Sequence, residues 1–238
     1  DLAVACGAVH RAVDSIHDAC RDADVVVVAA PVDRIADMAT AAAENTSADC
    51  LITDVGSPKA GIVDAIAGHP LATKKFVAAH PIAGSEKTGV QHASESLFDG
   101  RVIVITPSGG ESAEVIERAE RFWALTGGQT IRMSPQQHDT HLAAVSHVPH
   151  LVSALVARLA SSPARKLIGS GWRDITRVAA GDPGMWTAIT GENRAAISGE
   201  LRRFAEEVDG LRQMIDSAND EDLLRWLQEA KEIKDQTR

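Results

Sequence analysis

In the first half of the chain apolar residues come in short unbroken runs; in the second half they come at helical spacing. Val25 to Ala29, Leu51 to Val55, Phe76 to Ala79 and Val102 to Thr106 are dominated by β-branched or small apolar side chains. An unbroken run, rather than an alternating one, predicts a strand covered on both faces, as in a parallel sheet. Pro31 closes off the first run, and helical patterns follow from Val32 to about Glu44 and from Glu111 to Leu125. Thr130 to Met133 adds a last short strand. This alternation predicts an α/β fold, with part of a doubly wound, Rossmann-type sheet over residues 1–133.

At Ser134-Pro135 the strand pattern stops. Serine followed by proline suits an N-cap with proline in the first helical position, and residues 134–238 read as an all-helical domain. Pro149, inside an apolar helical stretch, predicts a kink that turns His147 or His150 toward the cleft between the halves. Ile197, Leu201, Phe204, Val208, Leu211 and Ile215 step by 4, 3, 4, 3 and 4, which makes one stripe on a long helix. A neighbouring helix of the same chain or a partner subunit would cover that stripe equally well.

Composition narrows the function. The 238 residues are 45% hydrophobic, enough for one substantial core or two modest ones. Lys plus Arg total 24 against 33 Asp plus Glu, a net charge of -9 that argues against nucleic acid and anionic membranes and for small-molecule partners. Cys6, Cys20 and Cys50 form no CxxC, so neither a disulfide framework nor a zinc site is signalled, which suits a reducing cytoplasm. No unbroken apolar run approaches the roughly 20 residues that cross a bilayer, and nothing reads as a signal peptide. The chain opens at Asp1 in a polar helical stretch, which for an α/β protein predicts further chain ahead of it.

Candidate chemistry falls just beyond the strands, where α/β folds place their sites. Ala29-Ala30-Pro31-Val32 offers backbone groups to a dinucleotide, or is a plain strand terminus. In Asp54-Val55-Gly56-Ser57-Pro58-Lys59, Gly56 permits close backbone approach and Ser57 either caps the next helix or serves the site. His80 follows a strand directly, with Gly84 and Glu86 close behind, and can accept a proton near neutral pH. In the helical half, His138-Asp139, Ser146 to His150 and Gly171 to Arg177 stand out. The clustered histidines lack metal-ligand spacing, so no metal is expected. Asp174 and Arg177, one turn apart, form either a surface ion pair or part of a binding site.

Taken in order, DVGSPK, HPIAGSE, HD, SHVPH, GWRDITR and DPGMW resemble the prephenate/arogenate dehydrogenase family in sequence and spacing, from about Cys6 to about Met214. The resemblance implies a Rossmann-type domain followed by a helical domain like the C-terminal part of 6-phosphogluconate dehydrogenases. It also implies oxidative decarboxylation of prephenate or arogenate in tyrosine biosynthesis, with hydride passing to NAD or NADP. His80 is then the base that accepts the ring-hydroxyl proton, and Ser57 orients it by a hydrogen bond. Arg177 anchors a carboxylate, which suits a substrate that carries two. His150 and Glu86 line the substrate pocket, supported by Asp174 and Trp186, and Ala30, Pro31, Val32, Gly56 and Ser57 lie along the cofactor. A homodimer through the helical domain is expected. The family's GxGxxG phosphate loop would precede Asp1. Rival readings are another dehydrogenase of the wider group, against which HPIAGSE and SHVPH argue, and a catalytically silent ligand-binding or regulatory module.

Overall fold

The unbroken apolar runs form one five-stranded sheet in sequential order: β1 (Val25–Val28), β2 (Leu51–Asp54), β3 (Phe76–Pro81), β4 (Val102–Thr106) and β5 (Gln129–Arg132). The structure is a computed structural model that describes residues 2–84 and 89–237. β1, β2 and β3 are parallel, as are β4 and β5, but β3 and β4 run antiparallel, which corrects the expectation of an all-parallel arrangement. The cause is the connection between β3 and β4. Its described part holds only a 3-10 turn at Val90–His92 instead of a crossover helix, so the chain re-enters the sheet at the end where it left.

Two consequences reach the site. Pairing with β4 carries His80 and Pro81 into β3, opposite Val104 and Ile103, so His80 is a strand residue rather than the first residue after the strand. The amino end of β4, with Arg101 just ahead of it, lies beside the carboxyl end of β3.

Helices α1 (Ile35–Glu44) and α2 (Ala60–Ile66) cover one face, where Ile35, Ala39, Ile52, Ile62 and Phe76 form a buried core. On the other face α3 (Ala113–Leu125) packs Trp123 and Ala119 on Leu51, Val77, Ile103 and Ile105. α3 starts later than Glu111 because Ser112 caps it, accepting from the Val115 amide. The stretch from Val32 opens as a 3-10 turn, Val32–Arg34, before α1 begins.

The helical half opens with α4 (Pro135–Leu159). Ser134 and Gln137 form a reciprocal capping box at its start. Pro149 does not break this helix. Its ring nitrogen cannot donate to the carbonyl four residues back, and a π-helical turn at Ala143–His147 absorbs the mismatch. By length and composition alone α4 could cross a bilayer, a feature that counting unbroken apolar runs misses. In the fold, however, its His138, Asp139, His147 and His150 are buried against the rest of the protein.

Helices α5 (Ser170–Thr176), α6 (Pro183–Glu192), α7 (Arg194–Asp216) and α8 (Asp220–Asp235) complete the chain. Of the α7 stripe, Ile197 is buried against Ala143 and Val148, whereas Leu201, Phe204, Val208 and Ile215 remain 37%, 37%, 47% and 59% exposed.

Candidate active site

The loop after β2 is held by a buried ion pair. The Asp54 carboxylate accepts from the Lys59 ammonium, the Gly56 amide (2.9 Å) and the Ala79 amide (3.0 Å), while Lys59 Nζ also donates to the Ala79 carbonyl (2.9 Å). Both side chains are fully buried. Burial pushes the Lys59 ammonium below its ordinary value, and the Asp54 charge pushes back. Asp54 and Lys59 thus tie the end of β2 to the end of β3 and set Ser57 beside His80. Gly56 has no room for a side chain: a Cβ would stand 2.5 Å from Ile35 Cδ1.

Two histidines of α4 reach into this corner. His138 Nε2 lies 2.9 Å from His80 Nδ1, and His138 Nδ1 lies 2.8 Å from Asp139 Oδ1. Asp139 also accepts from the Lys59 amide (2.8 Å) and the Ala60 amide (2.9 Å), so it caps α2 from the other half of the molecule. His147, carried inward by the π-helical turn, sits with Nε2 2.9 Å from Ser57 Oγ. Asn193 Nδ2 donates to the Asp139 carbonyl (2.7 Å) and toward His147 Nδ1 (3.2 Å). That leaves the His147 hydrogen on Nε2, donating to Ser57. In place of the expected Ser57–His80 hydrogen bond the structure forms Ser57–His147, and the serine's hydroxyl hydrogen is left for another acceptor.

Burial, and behind it the charges of Lys59, His138 and His147, push His80 well below the ordinary 6.5. Burial takes His147 to about 4. His80 is thus held neutral, as a proton acceptor must be.

His80 and Ser57 share the wall of a cavity of about 480 Å³ with Arg101, Ser146, Trp186 and a set of apolar residues including Leu142 and Ile189. That volume is of the size small-molecule sites take. His150 is buried and stacks on Trp186, ring centroids 3.4 Å apart, so it backs the wall rather than forming it. Gly181 lets that pair close up, since a Cβ there would meet Trp186 Nε1 at 2.7 Å. Asp174 and Arg177 are exposed and do not line the cavity. Glu86 lies outside the described residues. The sequence reading missed Arg101, which sits in no motif and reaches the site only through the antiparallel return of β4. It also missed Asn193 and the Asp54–Lys59 pair.

A second cavity, about 410 Å³ and largely apolar, opens at the carboxyl ends of β1, β2 and β3 and shares Ala83 and Leu97 with the first. Ala29 and Val55 line it; Ala30, Pro31, Val32 and Gly56 do not, and Val32 is buried in the core. Among the described residues no group of His, Cys, Asp or Glu side chains could hold a metal ion.

Residues 1–132 match the family model described as the prephenate dehydrogenase nucleotide-binding domain, and residues 134–229 match the prephenate dehydrogenase dimerization domain. The chain is 32% identical to a prephenate dehydrogenase of Bacillus subtilis over 237 residues, covering 96% of this chain and 64% of the relative. It is 31% identical to a cyclohexadienyl dehydrogenase of Zymomonas mobilis, covering 93% of this chain and 78% of the relative. Among solved structures, prephenate dehydrogenase from Aquifex aeolicus, in complex with hydroxyphenyl propionate and NAD+, superposes with a TM-score of 0.91 at 29% identity, over 100% of this chain and 85% of that one. Arogenate dehydrogenase from Synechocystis gives 0.85 at 25% identity, over 100% and 87%. With a His80 cavity framed by a Rossmann-type sheet and a helical half, and with both family models matched in order, the chain belongs to the prephenate dehydrogenase family.

Proposed function

We propose that this chain carries the catalytic centre of an oxidative decarboxylation of prephenate or arogenate. The observation that carries the reading is the half-buried, neutral His80 on the wall of a cavity that opens beside a second, apolar cavity at the strand ends. The apolar walls around Ala29, Val55 and Ala83 suit a nicotinamide ring. When bound there, NAD or NADP supplies the hydride acceptor. His80 removes the proton of the substrate's ring hydroxyl, and Ser57, which accepts from His147, turns its own hydroxyl hydrogen to a substrate oxygen. Trp186, backed by His150, flanks the ring. Arg101 on the wall and Arg177 at the edge of α5 are the guanidinium candidates for the substrate's carboxylates. Asp174 joins them as a candidate of the polar rim, Glu86 is a further substrate-binding candidate by its motif, and the backbone from Ala30 to Val32 and at Gly56 lies along the path of the cofactor.

The chain acts as a homodimer in this reading, since most of the α7 stripe is uncovered within the chain and the match to a dimerization domain spans it. The cysteines are free, two of them buried, which supports a cytoplasmic setting.

The test is hydride transfer by the full-length protein, with prephenate and arogenate each offered with NAD+ and NADP+. Reduction of a nicotinamide in at least one combination, accompanied by release of carbon dioxide, is expected. Failure in all four overturns the reading, and the preferred combination settles substrate and cofactor.

A further inference from the structure

We infer that His138 is the proton-holding partner of His80, so that the proton taken from the substrate is stored on a His80–His138–Asp139 relay rather than on His80 alone. This rests on the oxidative decarboxylation proposed above. The hydrogen-bond directions are fixed from one end. Asp139 is an acceptor, and its two carboxylate oxygens already receive the Lys59 and Ala60 amides. His138 Nδ1, 2.8 Å from Asp139 Oδ1, must therefore carry a hydrogen. In neutral His138 that leaves Nε2 bare, so the 2.9 Å contact requires His80 Nδ1 to be the donor. His80 Nε2 is then the free base, and no described residue occupies it. The anchoring carboxylate thus sets two tautomers in series.

The electrostatics say why a partner is needed. His80 is faced by Lys59, His138 and His147, with cationic Lys59 in the same buried corner, so a positive charge left on His80 meets repulsion and little solvent. His138 is faced by His80 and by the Asp139 carboxylate, so the same charge placed there is paired. The step balances as follows. The substrate O–H bond breaks and its proton joins His80 Nε2, while the Nδ1 proton of His80 passes to His138 Nε2. The hydroxyl-bearing carbon loses hydride to the oxidised nicotinamide and becomes a carbonyl carbon. The bond to the ring carboxylate then breaks, carbon dioxide leaves, and its electron pair makes the ring aromatic. The carbonyl oxygen becomes a phenolate, which takes the proton back along the same path. The relay lends one proton and recovers it within each turnover.

His138→Gln in the full-length protein tests this, because a glutamine oxygen can still accept from His80 Nδ1–H but cannot take the proton. We expect kcat to fall by about 10- to 100-fold, less than the ~10²- to 10⁴-fold typical of losing a general base. Cofactor dissociation constant and melting temperature should hold. The acid limb of kcat/KM should move to higher pH, because His80 then keeps the proton itself, free of the repulsion from a charged His138. Nitrogen-15 NMR of the free wild-type protein should show hydrogens on Nδ1 of both His80 and His138. Wild-type kcat in His138→Gln, a fall with an unmoved pH profile, or a hydrogen on His80 Nε2 would each overturn the relay. His80→Asn is the control for the underlying reading: if it too keeps wild-type turnover, the base assignment fails first. If His138→Gln does not fold, the NMR tautomers decide the matter on the wild type.

Discussion

The interior corner between β2, β3 and α4 and the outer face of α7 and α8 are opposites. In the corner, Asp54, Lys59, His138, Asp139, His147 and Asn193 are all buried polar groups, and each finds a partner within the chain. On the outer face, Phe204, Val208, Ile215, Leu224 and Leu227 are apolar and open to solvent. A polar group in the interior must be satisfied on the spot because water cannot reach it. An apolar group outside carries no such obligation, and a row of them left open is where a covering body would sit. The corner is thus complete within one chain, whereas the face leaves apolar surface open, which the proposed dimer would cover.

Breaking the corner should have the largest effect. Asp54→Asn leaves the Lys59 ammonium without a counter-charge and sets an NH2 group against either Lys59 and Gly56 or the Ala79 N–H, so a loss of about 3–5 kcal/mol of stability is expected in chemical denaturation. A loss below about 1 kcal/mol would mean that water reaches the pair. Removing either guanidinium candidate should leave the fold intact and sharpen the chemical half of the contrast. Arg101→Ala or Arg177→Ala should raise the KM for substrate by ~10- to 100-fold, equal to about 1.4 to 2.8 kcal/mol, without weakening cofactor binding. If only one variant responds, that arginine is the clamp; if neither does, no guanidinium clamps the substrate.

On the outer face, Phe204→Asp should weaken dimerisation by at least ~10-fold, about 1.4 kcal/mol, while the circular dichroism of the chain is preserved. Light scattering across a dilution series reads this directly, and an undisturbed dimer would place the interface elsewhere. A further effect comes from acid. His147 is held neutral by burial, with its value lowered from 6.5 to about 4, so the unfolded chain binds the proton first. Stability should therefore fall as pH drops from about 6.5 toward about 4, and the slope should flatten in His147→Gln. A wild-type melting temperature constant over that window would contradict the burial of an unprotonated His147.

Much of this was legible in the chain. Unbroken β-branched runs, Ser134-Pro135 and the α7 stripe gave the elements, because local burial pattern and capping chemistry act over a few residues. His80, Ser57 and Trp186 were named from motifs and share one cavity wall. Other expectations failed for reasons that no local pattern carries. The direction of β4 depends on how a long connection returns. Ser57's partner depends on which histidine α4 delivers, and that follows from a π-helical turn whose position reflects packing as well as Pro149. Arg101, in no motif, is at the site only because an antiparallel strand begins there.

By itself, the sequence determined that strands precede helices, that a histidine stands at a strand end, and that an apolar stripe runs along a late helix. These follow from side-chain period and residue type. The tertiary structure alone decided that His138, 58 residues away, would meet His80, and that Asp139 would cap α2 across the two halves. Contacts between distant residues are fixed by the geometry of packed elements, and the hydrogen-bond directions that assign a proton to one nitrogen or another exist only once those elements have met.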